Sequence, residues 1–138
     1  MGSFKIEGGH KLKGTLTPQG AKNEALQILA AVLLTAEEVE LKNIPEIRDI
    51  MRMIELLEGL GVKVNKIGKG HYTFKSDEID LYYFHTDEFR TKGAAIRGSI
   101  MIIGPLLARF GIGYIPSPGG DKIGRRRLDT HFIGFENL

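Results

Sequence analysis

The residues best suited to chemistry lie together in one short segment, residues 116–131. Its centre is a carboxylate, Asp121, within a stretch of proline and glycine that predicts an exposed, irregular loop. Four cations and a histidine follow it: Lys122, Arg125, Arg126, Arg127 and His131. Because guanidinium and ammonium groups bind phosphate and carboxylate strongly, the segment indicates a site for a small anion.

Each of these residues also has a purely structural interpretation. A carboxylate in such a loop is most often a solvated turn residue, and the alternative for Asp121 is a general acid or base. Three adjacent arginines cannot all face one way at the start of a helix, so at most two of them point at a ligand. His131 has no partner at metal-ligand spacing, and we expect no metal site.

Three further polar residues stand at the starts of apolar helices. Lys22 and Asn23 open a predicted helix over residues 21–34, and Arg97 lies close to the start of another over residues 94–110. A lysine in a first turn opposes the helix dipole, so its placement needs a reason beyond helix stability, whereas asparagine there is usually a cap. If the helix starts share one end, these residues and the loop form a site for a phosphate- and carboxylate-bearing substrate.

The apolar periodicity predicts the elements that would carry these residues. Predicted strands cover residues 4–7, 12–17, 39–44, 62–66, 71–75, 79–84 and 112–115. Predicted helices cover residues 21–34, 47–60, 94–110 and 128–138, with a polar connection at 87–92 and a kink or new turn at Pro105. Gly61 stands where a helix cap is expected, and residues 68–70 predict a hairpin.

The order of these elements repeats. Residues 104–110 before a strand parallel residues 29–35, and residues 132–138 parallel residues 54–60. We therefore expect a first repeat at about 21–78 and an incomplete second repeat at about 79–138, in the front part of a longer protein. The alternative is coincidental amphipathic spacing.

Composition narrows the class of protein. A chain of 138 residues is long enough for one domain, and 42% hydrophobic with 26% charged residues is typical of a globular protein. A net charge of +2 indicates no broad cationic face for nucleic acid or membrane. The absence of cysteine and of an apolar leader favours a cytoplasmic protein.

Three motifs in order, within residues 20–26, 97–111 and 118–131, resemble the UDP-N-acetylglucosamine enolpyruvyl transferase family. The resemblance implies an α/β (α+β) fold of repeated βαβαββ units, an inside-out barrel with helices buried and sheets outside. It also implies that strands in residues 1–20 belong to a domain completed by a missing C-terminal half. Residues 21–138 would then belong to the domain that binds the sugar nucleotide.

The resemblance further implies transfer of the enolpyruvyl group from phosphoenolpyruvate to UDP-N-acetylglucosamine, the first committed step of peptidoglycan synthesis, without a cofactor. Asp121 would be the catalytic acid, where the family commonly has cysteine, and Arg127 replaces a usual proline. The phosphoenolpyruvate-binding residues would be Lys22, Asn23 and Arg126. The sugar-nucleotide-binding residues would be Asn23, Arg97, Arg126, Arg127, Leu128, Asp129, Thr130 and His131.

Two other interpretations stay open. The shikimate-pathway enolpyruvyl transferase shares the fold, but its Ser-Lys-Ser type motif is replaced here by Ala21-Lys22-Asn23. The second is an inactive fragment that only binds or self-associates, because helices meant to be covered would expose apolar surface. The resemblance places the general base and another arginine beyond residue 138, so we expect no turnover from residues 1–138 alone.

Overall fold

The first half of the chain folds into two helices and a three-stranded sheet. The structure, a computed structural model, describes residues 3–117, 119 and 127–137. The elements are α1 (Lys22–Ala31), continued by a 3₁₀ turn (Val32–Leu34), β1 (Glu38–Leu41), α2 (Arg48–Gly59), β2 (Lys63–Gly68) and β3 (His71–Lys75). The predicted order of helix, strand, helix, strand, strand is confirmed.

The sheet places β3 between β1 and β2. Because β3 is antiparallel to both neighbours, β1 and β2 run parallel, and α2 makes the crossover between them. Phe74 stands opposite Val39 on one side and Val64 on the other. The predicted hairpin is confirmed: β2 and β3 meet at Gly70, whose φ of +64° suits glycine.

One carboxylate ties this hairpin to the segment after β1. Glu46 Oε1 accepts hydrogen bonds from Gly70 N at 2.9 Å and Tyr72 Oη at 2.8 Å, and pairs with Lys66 Nζ at 2.8 Å. The Gly70 amide first, then Lys66 and Tyr72, lower the pKa of Glu46 from 4.5 to about 2. Ile44 N also donates to Gly70 O at 2.9 Å, so both the N–H and the C=O of Gly70 are bound.

Helix α2 supplies the centre of the core. Its buried side chains are Ile50, Met53, Ile54, Leu56 and Leu57. Gly61 ends the helix as predicted, with φ of +95° and its N–H donated to Glu58 O at 2.9 Å. A Cβ at Gly61 would also lie 2.4 Å from Glu78 O, so both backbone conformation and space require glycine there.

The second half of the chain is helical within the described residues. Its elements are a 3₁₀ segment (Leu81–His85), α3 (Asp87–Ala94), a second 3₁₀ segment (Arg97–Ile102), α4 (Ile103–Phe110) and α5 (Asp129–Glu136). The predicted strand over 79–84 is wrong because Asp80 Oδ1 accepts from Tyr82 N at 2.9 Å and starts a tight helical turn. This turn buries the adjacent Tyr83 and Phe84, which a strand would point to opposite faces.

Two further predictions in this half are wrong. Residues 87–92 form most of α3 rather than a connection, because Thr86 Oγ1 caps the helix by accepting from Phe89 N at 3.1 Å. The helix predicted over 94–110 is broken at Ile96, whose backbone is extended (φ −136°, ψ 142°). Pro105 lies in the first turn of α4, where its missing N–H costs no helical hydrogen bond.

Helix α4 packs against the end of the first helical segment. Its Arg109 Nη1 donates to Leu33 O at 3.0 Å and to Thr35 O at 3.1 Å. These carbonyls lie at and just beyond a helix C-terminus, where backbone oxygens lack partners and a cation is favourable. The guanidinium therefore joins the two halves of the chain.

The residues predicted as strands at 4–7, 12–17 and 112–115 are not paired as strands in this structure. No described strand lies beside them to complete a ladder, and alternation alone does not make a strand. Their N-terminal apolar side chains are almost fully exposed: Phe4 95%, Ile6 89%, Leu12 97% and Leu16 89%. Helix α5 confirms the prediction of a helix at 128–138 but buries none of its residues.

In the described part of the chain, no single helix is long and apolar enough to cross a membrane. Within the same described residues, α3 taken together with Arg97–Phe110 meets the length and composition expected of a span, and that pair is bent by 114°.

Candidate anion-binding site

Lys22 and Asn23 are the first two residues of α1, and both are exposed. The residue before them, Ala21, is extended (φ −78°, ψ 133°), and no side chain caps the helix. The interpretation of Asn23 as a helix cap is therefore wrong. Its side-chain amide lies at the helix start but does not cap the helix.

The start of α1 is fixed against the turn that follows β1. Gly20 N donates to Asn43 Oδ1 at 3.1 Å, and a Cβ on Gly20 would lie 2.0 Å from Asn43 O. Asn43 has φ of +60°, a conformation that asparagine adopts more readily than most residues. The chain thus reaches Lys22 along a path that only glycine allows.

Lys22 Nζ forms an ion pair with Asp49 Oδ2. Asp49 is the second residue of α2, which packs against α1, so the two helices begin side by side. The partner explains how a lysine is tolerated at the positive end of a helix, because the carboxylate offsets its charge. The pair stays accessible, with side-chain exposures of 46% and 37%.

Arg97 begins the second 3₁₀ segment and is half-buried. Gly98 packs on Leu26, and a Cβ there would lie 3.0 Å from Leu26 Cδ1 and 3.1 Å from Cδ2. Leu26 stands one helical turn after Lys22, on the same side of α1. The turn that begins at Arg97 therefore lies beside the first turns of α1.

Helix α2 and a buried hydroxyl hold this second turn in place. Arg52 Nη1 donates to Ala95 O at 3.1 Å, from the helix that also carries Asp49. Ser99 is fully buried and donates to Gly93 O at 2.7 Å and Ile96 O at 2.8 Å. The first turns of α2 thus contact both elements that bear predicted ligand-binding cations.

The described part of the predicted loop lies against the end of α3. Pro116 packs on Gly93, and a Cβ on Gly119 would lie 2.0 Å from Ala94 O. Pro116 and Gly119 therefore lie close to the turn that begins at Arg97. Asp121 and Arg126, which the sequence analysis selects from this loop, lie outside the described residues.

The remaining selected residues stand at the start of α5. Arg127 Nε donates to Asp129 Oδ2 at 2.6 Å, and this pair precedes the exposed Thr130 and His131, while Leu128 is half-buried. The elements that pack closely on α1 are α2 and the two 3₁₀ segments Val32–Leu34 and Arg97–Ile102, and α5 is not among them. Within the described residues the structure therefore brings together the elements bearing Lys22, Asn23 and Arg97, but not α5.

Sequence reasoning missed Asp49, Arg52 and Asn43. An acidic residue in a first turn is ordinary helix chemistry, and Arg52 stands on the predicted polar face of α2. The packing of α2 on α1 places Asp49 and Arg52 beside the predicted site residues, and the bond from Gly20 places Asn43 there. The unfavourable position of Lys22 was the one available signal, since it required a nearby carboxylate or ligand.

Taken together, an amide and two cations stand on or next to the first turns of neighbouring helical elements. Such an arrangement can bind an anion and stabilise negative charge that develops on it. Among the described residues, no group of three or more histidine, aspartate or glutamate side chains could hold a metal ion.

Comparison with known proteins identifies the class. The family model for EPSP synthase (3-phosphoshikimate 1-carboxyvinyltransferase) matches residues 6–138, and the chain belongs to this family. A solved structure of the enolpyruvyl transferase NikO from Streptomyces tendae has the same fold, with a TM-score of 0.52 and 21% identity over 75% of this chain and 23% of that one. The predicted α+β enolpyruvyl-transferase fold is confirmed.

The nearer likeness is to proteins named UDP-N-acetylglucosamine 1-carboxyvinyltransferase. The chain is 58% identical over its whole length to that of Bacteroides fragilis (strain YCH46) and 41% identical to that of Escherichia coli O9:H4 (strain HS). It spans 32% of each, about a third of the length of the curated relatives it matches.

Proposed function

We propose that the chain is the N-terminal part of an enzyme that transfers the enolpyruvyl group from phosphoenolpyruvate to the 3-hydroxyl of UDP-N-acetylglucosamine. This step would open peptidoglycan synthesis in the cytoplasm, and with it cell-wall growth and division. The observation that carries the proposal is the 58% identity, over the entire chain, to proteins named for this activity. The elements carrying Lys22, Asn23 and Arg97, which share one end of the fold, support it.

In the proposed reaction the sugar 3-hydroxyl gives its proton to the general base expected beyond residue 138 as its oxygen attacks C2 of phosphoenolpyruvate, and the electron pair of the C2–C3 double bond takes up a proton at C3. Asp121 donates that proton. Loss of a proton from C3 then re-forms the double bond as phosphate leaves C2. Lys22, Asn23 and Arg126 hold the phosphate and carboxylate, so negative charge is stabilised where it develops. Asn23, Arg97, Arg126 and residues 127–131 bind the sugar nucleotide.

The acceptor is the point on which the two enolpyruvyl transferases differ. The name of the family model refers to a shikimate phosphate acceptor, whereas the relatives at 41–58% identity are named for the sugar nucleotide. The sequence Ala21-Lys22-Asn23 in place of a Ser-Lys-Ser motif also favours the sugar nucleotide. Direct competition between the two acceptors distinguishes them.

The domain assignment follows from the same proposal. Residues 1–20 would add strands to a domain built mostly from sequence outside this chain. Residues 21–78 and 79–138 would be the first repeat and an incomplete second repeat of the other domain, which binds the sugar nucleotide. The exposed apolar side chains of residues 4–16 fit this assignment. Residues 1–138 alone would then lack turnover.

A second candidate, self-association without catalysis, is favoured by the same exposed surface. Ile133 on α5 is 56% exposed and Leu34 after α1 is 53% exposed, in addition to the N-terminal apolar side chains. Two copies of the chain could bury these side chains against each other. Light scattering that shows a defined oligomer, with no heat on titration with UDP-N-acetylglucosamine, would support this candidate.

The decisive experiment joins residues 1–138 to the remaining two thirds of the Bacteroides fragilis relative. Phosphate release and the mass of the product are measured with phosphoenolpyruvate and either UDP-N-acetylglucosamine or shikimate 3-phosphate. We expect enolpyruvyl-UDP-N-acetylglucosamine only, and a loss of about 100-fold or more in kcat/KM for Lys22→Met because a fixed charge is removed from the site. Lys13→Met, at an exposed lysine in the N-terminal segment, is the matched control. Product formed only from shikimate 3-phosphate would contradict the proposal.

A further inference from the structure

We infer that Asp49 is a positioning residue for Lys22: it aims the ammonium of α1 at the anionic substrate and sets how fast the chemical step proceeds. This inference rests on the proposed function. Nothing in the sequence motifs points to Asp49, and the inference comes from the ion pair between α1 and α2.

The first argument is mechanical. A lysine side chain has four rotatable bonds and stands at many angles unless something holds its end. Asp49 Oδ2 holds Lys22 Nζ, and the backbone on either side of the pair is itself fixed. Gly20 is tied to Asn43 just before Lys22, and Arg52 ties the first turns of α2 to Ala95.

The second argument is electrostatic. The positive end of α2 favours the carboxylate of Asp49, whereas the positive end of α1 disfavours an ammonium without a partner. Asp49 therefore offsets the cost of holding Lys22 in place. It also cancels part of the positive charge that an incoming anion would meet, which weakens simple attraction.

These two effects predict opposite changes when the carboxylate is neutralised. In Asp49→Asn the site attracts phosphoenolpyruvate at least as strongly, so KM stays the same or falls. The ammonium is no longer aimed, and because misplacement of a reacting group by about 1 Å can cost on the order of 100-fold, kcat falls by roughly 10- to 100-fold. A residue needed only for folding would not give this combination.

The ion pair is tested first in the 138-residue chain itself. Side-chain order at Lys22 Cε is measured by NMR in wild type, in Asp49→Asn and in Glu58→Gln. Glu58 is the matched control, an exposed carboxylate near the other end of α2. We expect Lys22 to become mobile in Asp49→Asn only. Equal order at Lys22 in wild type and Asp49→Asn overturns the inference.

The consequence for catalysis is tested in the enzyme completed with the Bacteroides fragilis sequence. We expect Asp49→Asn to lower kcat at least 10-fold without raising KM for phosphoenolpyruvate, and Asp49→Glu to recover part of the loss. An unchanged kcat, or a kcat that falls while KM rises, overturns the inference. If the wild-type fusion forms no enolpyruvyl product, the proposed function fails and the positioning role falls with it, while the NMR result still decides whether the ion pair exists.

Discussion

Replacing Gly20 by alanine should be among the most damaging small changes to this fold. An added Cβ would lie 2.0 Å from the backbone oxygen of Asn43 and 3.2 Å from Pro45 Cδ. The backbone at residue 20 must therefore move away from the turn at residues 43–45. Overpacking of this kind costs about 1–3 kcal/mol. The displaced Gly20 N–H also loses its bond to Asn43 Oδ1, which adds about 0.5–1.5 kcal/mol. We expect a total loss of about 2–4 kcal/mol in the free energy of unfolding.

Urea unfolding followed by circular dichroism measures this loss. With a slope near 2 kcal/mol per M, the unfolding midpoint of Gly20→Ala should fall by about 1–2 M. Gly14→Ala is the matched control because nothing lies within 4 Å of its added Cβ, and its midpoint should hardly move. Asn43→Gly keeps the positive φ but removes the acceptor, so it should cost only the hydrogen bond, about 1 kcal/mol. Equal midpoints for Gly20→Ala and Gly14→Ala would refute the reasoning.

Three further outcomes are expected. The folded pKa of Glu46, about 2, lies below its ordinary value of 4.5, so the stability that this carboxylate contributes is complete above pH 4.5 and is lost as the pH falls towards 2. The melting temperature, measured from pH 2 to 6, should therefore fall less steeply with acid in Glu46→Gln than in wild type. Leu57→Ala, at a fully buried site, should lower the free energy of unfolding by about 2–5 kcal/mol, as measured by urea titration. Ile28→Ala, at a side chain that is 37% exposed, should lower it by clearly less. An epoxide that alkylates the loop cysteine elsewhere in the family should leave the completed enzyme active, because a carboxylate at Asp121 is a weaker nucleophile than a thiolate; time-dependent inactivation with an adduct on Asp121, seen by mass spectrometry, would contradict this.

Local patterns predicted those elements whose own residues carry the stabilising contacts. The apolar periodicity over residues 47–60 and the glycine after it are both visible in the sequence, and α2 forms as expected. The predictions fail where contacts between residues distant in sequence determine the local structure. The helix predicted over residues 94–110 is broken at Ile96 because Arg52 binds Ala95 O and the buried Ser99 binds Gly93 O. The apolar pattern of residues 94–110 indicates neither contact. Residues 4–17 alternate as a strand should, but a strand also needs a neighbour.

The candidate site was predictable in part for the same reason. Lys22 stood out because it opposes the helix dipole, and its position at the start of α1 needed only the apolar pattern behind it. The pairing with Asp49 depends on how α1 packs against α2, which no local pattern specifies. The unfavourable position of the Lys22 charge was therefore informative about the site, whereas the favourable position of the Asp49 charge gave no such signal.

The bond from Arg109 to the carbonyls of Leu33 and Thr35 has a consequence for the order of events during synthesis. Thr35 leaves the ribosome 74 residues before Arg109, which at about 5–20 residues per second is a delay of roughly 4 to 15 s. Throughout that interval the first helices and the sheet can form, but the end of the first helical segment lacks this partner. A nascent chain would therefore expose that end to chaperones until the second half emerges, and Arg109→Ala would extend the exposure into the finished protein.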